Sequence, residues 1–295
     1  MIRAVVTDMD NTLYSWVDYI VPSTERMLET LCRVLSLPRI QVIQALKEVY
    51  DRYESNDYPF AIQESRLFDP YRGDFPSFSK LVIEPASEAF AAARKRYLRP
   101  YRGVIETLRQ LEVWGIPVVA LTDAPRNPAE RRAYMMGLDE SLTALYALPA
   151  FPFPETGIAP EIRKREEAGG CPIRCEVVEL RREDEKPNSR GFLAICERLG
   201  VPPHEVALVG DSLSKDMRLA RQTGAIGCWA EYGTYISAEY QERLDILSAP
   251  KAMRRHLRQA PDSTALPRFR LSCFDQLLGI IESENSGALT TALPA

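Results

Sequence analysis

Residues 2–7 read Ile-Arg-Ala-Val-Val-Thr and then break into Asp8-Met9-Asp10. The run is short, β-branched and bounded by polar residues, which marks a buried strand. Comparable runs return only much later, at 116–121, more weakly at 175–180, at 206–209 and at 225–229. Helical patterns fill the gaps. Val104, Leu108, Leu111 and Val113 recur at near-helical spacing before Gly115. Phe192, Ile195, Cys196 and Leu199 follow i, i+3, i+4, i+7 and stop at Gly200, as a helix ending in a left-handed glycine does. Strands that alternate with helices predict an α/β fold whose parallel sheet is covered on both faces. In such a sheet every strand delivers its carboxyl end to one edge, and that edge is where ligands bind.

Residues 15–99 break the alternation. No strong strand pattern occurs there. Helices are predicted over 23–36, with Ser23 or Thr24 as N-cap, over 39–53 and over 85–98. Residues 56–79 carry three prolines and several aromatics and read as irregular. The stretch is expected to be a helical insertion large enough to form a small domain, 15–99, between sheet-domain segments 1–14 and 100–282. Residues 149–170 hold four prolines and then a charge run, Arg163-Lys-Arg-Glu-Glu167, and are expected to be an exposed insertion. The small, polar stretch 283–295 reads as a disordered tail.

Four polar stretches sit at or near strand ends: Asp8-Met-Asp10-Asn11-Thr12, Thr122-Asp123, Lys186-Pro187 and Gly210-Asp211-Ser212-Leu-Ser-Lys215-Asp216. A parallel sheet would gather them into one pocket holding Asp8, Asp10, Asp211 and Asp216 with Lys186 and a threonine hydroxyl. That much negative charge needs compensation, and an all-oxygen set of hard ligands suits Mg²⁺. An EF-hand counted from Asp8 would need Gly and Glu where Leu13 and Tyr19 stand, and Gly210–Asp216 lacks the phosphate-loop pattern.

The four stretches, DMDNT, LTD, EKP and GDSLSKD, resemble in order the motifs of the haloacid dehalogenase-like (HAD) hydrolase superfamily, in its phosphatase branch with a C1-type helical cap. The resemblance spans roughly residues 1–280. It implies a Rossmann-like parallel sheet sandwiched by helices, with the cap inserted after the first strand. It also implies a Mg²⁺-dependent phosphomonoester hydrolase working through an aspartyl-phosphate on a small phosphorylated metabolite or nucleotide. By this resemblance Asp8 is the nucleophile, Asp10 the general acid and base, and Lys186 the charge-balancing cation. Thr122 and Asp123, with Lys186, bind phosphate. The metal falls to the Asp8 carboxylate, the Asp10 carbonyl and Asp211. Asn11, Thr12, Ser212 and Asp216 support the site. A dehalogenase needs no acid for a halide, so Asp10 favours phosphoryl transfer. Two alternatives are a phosphotransferase of the same fold and a catalytically silent binding protein. Residue 123 is Asp where Asn is common in the family. Tyr58, Arg66, Tyr71, Arg72 and Lys80 are the cap candidates for contacts to the leaving group.

The remaining composition narrows partners and place. A net charge of −4 over 295 residues gives no basic field for a nucleic-acid polymer, while a small anion still fits a local positive pocket. Six scattered cysteines predict reduced thiols and a cytoplasmic protein. No apolar stretch approaches the roughly 20 residues that span a bilayer, so no membrane partner is expected.

Overall fold

The computed structural model describes residues 1–71, 74–154, 171–248 and 266–291. Seven strands form one sheet: β1 (Ala4–Thr7), β2 (Val118–Pro125), β3 (Ala144–Leu148), β4 (Glu176–Glu179), β5 (Val206–Gly210), β6 (Ile226–Ala230) and β7 (Phe269–Leu271). Their order is β4-β3-β2-β1-β5-β6-β7. Every neighbouring pair is parallel, with Val5 opposite Val118 on one side and Ala207 on the other.

Side chains alternate faces along a strand, and the central strands are apolar on both. Ala4, Val6, Val119, Leu121, Val206 and Leu208 pack with Phe192 and Ile195 on one side. Val5, Val118, Ala120, Ala207 and Val209 pack with Leu108 and Leu111 on the other. Helices therefore flank both faces, as the alternation of strands and helices predicts. β3 escaped that pattern because its Ala-Leu-Tyr-Ala-Leu string also suits a helix. Here Ala144 and Tyr146 join one face, Leu145 and Ala147 the other.

Between β1 and β2 the chain is helical. Helices Trp16–Leu35, Arg39–Tyr53 and Glu84–Tyr97 surround a second apolar cluster built on Leu28, Leu31, Leu46, Phe78 and Val82. The first helix begins eight residues before the predicted cap. Ser15 is the N-cap, its hydroxyl accepting from Asp18 N–H at 3.1 Å. Pro22 lies inside the helix, and the Ser23 hydroxyl donates to the Tyr19 carbonyl at 2.6 Å instead of capping. The helix is shared between cores: Trp16 to Val21 pack with the sheet, Met27 to Leu31 with the helical cluster. Along the helix, packing passes from the sheet's core to the helical cluster near Pro22. The two connecting segments lie side by side, with Tyr101 N–H donating to the Leu13 carbonyl at 2.9 Å.

Most of the insertion expected at 149–170, residues 155–170, lies outside the described residues. Its first residues pack inward: Phe151 sets its ring edge-on to Tyr53 and Tyr58. Of the tail expected over 283–295, residues 283–291 instead belong to a helix, Gln276–Thr291, and 292–295 lie outside the described residues. Two contacts explain this. Glu284 pairs with Arg268 at 2.7 Å, and the Asn285 amide accepts from Ile2 N–H at 2.6 Å and donates to the Ile2 carbonyl at 3.0 Å. No described helix is long and apolar enough to cross a membrane, and none of the six cysteines, all among the described residues, forms a disulfide.

Candidate active site

The carboxyl ends of β1, β2 and β5 and the segment after β4 meet over one cleft of about 190 Å³. Asp8, Asp10, Thr122, Asp123, Asp211 and Ser212 line it, together with Lys215. Asp8 follows β1, whose ladder to β5 is continued by Asp8 N–H donating to the Val209 carbonyl at 2.8 Å. Oδ1 of Asp8 accepts from Met9 N–H at 2.8 Å and lies 2.9 Å from Lys186 Nζ. The same ammonium reaches Asp216 at 2.7 Å. Lys186 is buried, which alone would lower its pKa; Asp216, Asp8 and Asp123 outweigh burial and hold it charged.

Asp216 explains a glycine. Its second oxygen accepts from Ser212 N–H at 3.1 Å, and a Cβ on Gly210 would fall 2.2 Å from its carboxyl carbon. Only a residue without a side chain lets that carboxylate pass the end of β5. The Ser212 hydroxyl in turn accepts from Lys215 N–H at 3.2 Å.

Asp8, Asp211 and Asp216 place carboxylate oxygens within 4.8 Å of one another. Burial lifts the Asp8 pKa to about 7, with Asp216 and Asp123 adding to the rise and Lys186 opposing it. Burial and the charges of Asp8 and Asp216 hold Asp211 well above the usual carboxylate range. An all-oxygen set with excess negative charge fits a hard divalent cation.

Asp123, expected to bind phosphate, lines the cleft with its carboxylate turned to two lysines. Its Oδ1 accepts from Lys186 N–H at 3.0 Å and its Oδ2 from Lys215 Nζ at 2.7 Å. Burial alone would raise its pKa, but Lys186 and Lys215 bring it below the usual value. Its carboxylate therefore fixes the two lysines. The Thr122 hydroxyl accepts from Ala124 N–H at 3.1 Å and keeps its own proton to donate. Asn11 Oδ1 accepts from Trp16 N–H at 3.0 Å, and the Thr12 carbonyl accepts from the Tyr232 hydroxyl at 2.6 Å, so both shape the turn after β1.

Asp10 faces different company from Asp8. Its Oδ1 accepts from the Tyr14 hydroxyl and lies 3.5 Å from Arg132. Burial raises its pKa, and Arg132 opposes the rise. Arg132 and Lys215 were absent from the sequence-derived set of cations. Arg132 had a readable sign: with Ala129, Ala133 and Met136 it lies on the buried stripe of helix Arg126–Met136.

The helical insertion meets the cleft through residues 54–57 and Trp16. Four of the five candidates from sequence lie elsewhere. Tyr58 is buried and stacked on Tyr53, with ring centroids 3.6 Å apart. Arg66 pairs with Glu48, Tyr71 packs on Phe78 and Lys80 is exposed. Arg72 lies outside the described residues. Polarity and aromaticity cannot separate a loop over the cleft from the insertion's own core.

Comparison with known proteins agrees with this geometry. A protein 26% identical over 256 residues, covering 83% of this chain and 91% of its own length, is the glyceraldehyde 3-phosphate phosphatase of Methanopyrus kandleri. Another, 26% identical over 237 residues, covers 79% of this chain and 85% of its own length; it is provisionally assigned as pyrophosphatase PpaX of Clostridium perfringens. Among solved structures, a 2-haloacid dehalogenase from Pseudomonas syringae shares the fold at TM-score 0.50 and 19% identity, over 96% of this chain and 99% of its own. The HAD-hydrolase-like model matches residues 184–260. The model of haloacid dehalogenase-like hydrolases matches residues 2–153, more than half of the sequence, and the chain belongs to that family.

Proposed function

We propose that this chain is a Mg²⁺-dependent phosphomonoesterase that works through an aspartyl-phosphate on Asp8. The observation that carries the reading is the unequal treatment of two carboxylates two residues apart. Asp8 is gripped by Lys186 at 2.9 Å, while Asp10 is held on the far side by Tyr14 and Arg132. The ammonium beside Asp8 favours an ionised nucleophile, while burial raises the pKa of Asp10 against the opposing pull of Arg132 and Tyr14, as suits a carboxyl that holds a proton.

Asp8 attacks phosphorus, forming the P–O bond to its carboxylate as the bond to the leaving oxygen breaks. Asp10 gives that oxygen its proton, then takes one from the water that attacks the acyl phosphate and frees inorganic phosphate. Lys186 offsets charge on Asp8 and the phosphoryl oxygens, and Thr122 donates to one of them. Asp8, Asp211 and the Asp10 carbonyl would hold the cation, which supplies neutralisation of charge on the transferring group.

A cleft of about 190 Å³ suits phosphate and a few carbons better than a nucleotide. With the name of the Methanopyrus relative, this favours a phosphorylated three- or four-carbon metabolite. The test is hydrolysis of p-nitrophenyl phosphate with and without Mg²⁺, then of a panel including glyceraldehyde 3-phosphate and nucleoside monophosphates. Wild-type activity lost in Asp8→Asn supports the reading. Equal rates in the two proteins, or no hydrolysis of any phosphate, overturns it.

A further inference from the structure

Arg132 is 2% exposed, yet it belongs to neither side of the cleft alone. Its Nη1 lies 2.7 Å from the Tyr19 hydroxyl, 3.2 Å from Asp57 Oδ2 and 3.5 Å from Asp10 Oδ1. Its Nε and Nη2 have no hydrogen-bond partner among the described residues. The guanidinium therefore forms no two-pronged pair with either carboxylate, the arrangement that would bind most strongly. One nitrogen is shared between Asp10, which follows β1, and Asp57, on the loop of the helical insertion that overhangs the cleft. Trp16 Nε1 holds the same Asp57 oxygen at 3.2 Å. The contacts from Tyr14 and Arg132 both fall on Asp10 Oδ1, which leaves Oδ2 as the oxygen to offer the leaving group.

We propose that Arg132 is a positioning residue that couples the insertion to proton delivery. Asp57 draws the guanidinium off Asp10, so Asp10 presents Oδ2 to the leaving group only while loop 54–57 lies over the cleft. Without Asp57, Arg132 closes on Asp10 as a full ion pair and turns its carboxyl away from the cleft. The inference rests on Asp10 being the general acid.

The experiment compares kcat/KM for two aryl phosphates, because this ratio reports phosphoryl transfer to Asp8. Dinitrophenolate leaves without a proton, whereas phenolate needs one. Asp57→Asn is expected to lose about tenfold or more with phenyl phosphate and several-fold less with 2,4-dinitrophenyl phosphate. Arg132→Lys, which keeps the charge with a different reach, should show the same selectivity in weaker form. Losses equal for the two substrates, or none, overturn the proposal, since a merely structural role moves both alike. Asp10→Asn is the reference. If it loses both substrates equally, the acid assignment beneath the proposal fails. If it is selective and Asp57→Asn is not, the coupling alone fails. Asp57→Asn leaves the buried guanidinium in place, so the result does not depend on whether Arg132 variants fold.

Discussion

Replacing Lys186 by Met removes an ammonium that reaches both Asp8 and Asp216, at 2.9 and 2.7 Å. Its side chain is 2% exposed, and those of Asp8 and Asp216 are 12% and 1% exposed, so water cannot take over. Breaking a buried ion pair by deleting one partner costs about 3–5 kcal/mol, a large part of the ~5–15 kcal/mol that holds a domain folded. The sign of the pH dependence follows from the shifts. Lys186 has a raised folded pKa, so its contribution is full below the usual lysine range and is lost only as pH rises through the folded value. In the variant, Asp8, already raised to about 7 by burial despite Lys186, takes up a proton more readily still. The variant should therefore lie furthest below wild type near pH 8 and recover part of the gap by pH 5.5. The assay is denaturant unfolding of both proteins in chelator at the two pH values. A gap under about 1 kcal/mol at pH 8, or one that does not narrow on acidification, refutes the electrostatic account. Activity at saturating Mg²⁺ should fall by about 10²–10³, the typical cost of one charge-stabilising donor.

Other outcomes follow from single contacts. Gly233→Ala would put a Cβ 1.6 Å from the Asn11 carbonyl oxygen, so the turn carrying Asp10 must move; activity should collapse, and a wild-type rate would disprove the close approach. Tyr232→Phe removes the 2.6 Å bond to the Thr12 carbonyl and should cost about 0.5–1.5 kcal/mol in thermal or denaturant unfolding. Phe151→Ala empties a site among the rings of Tyr53 and Tyr58 and should cost about 3–5 kcal/mol. If Asp8 and Asp211 hold the cation, Mg²⁺ at a hundred times its Kd should stabilise the apoprotein by about 2.7 kcal/mol, and Asp211→Asn should abolish most of the Tm rise.

The parallel sheet and the meeting of Asp8, Lys186, Asp211 and Asp216 were legible because each rests on local pattern plus one topological rule. β-branched runs mark strands, and a parallel sheet collects their carboxyl ends. What escaped depends on contacts between distant segments. β7, only Phe269–Leu271, is too short to show a period. Lys215 stands in the same motif as Asp211, but its role depends on Asp123, 92 positions away in sequence, accepting its hydrogen bond. That the two oxygens of Asp123 hold Lys186 and Lys215 was likewise not readable, because the partners lie 63 and 92 positions away. Ser23 and Thr24 suggested a helix start there, because serine and threonine are favoured N-caps. Packing of Trp16 to Val21 against the sheet carries the helix through Pro22.

The Asn285 amide matters for a reason beyond order in the last helix. A primary amide offers an acceptor oxygen beside an N–H donor, the same pair a peptide group offers, and this one turns both to Ile2 at 2.6 and 3.0 Å. The side chain is in effect a β-strand one residue long, stitched to the chain just before β1. A chain shortened to residue 282 would leave that N–H and carbonyl bare beside the central strand. Hydrogen exchange at Ile2 should therefore quicken in Asn285→Leu, although the substitution lies 283 positions from the amide that reports it.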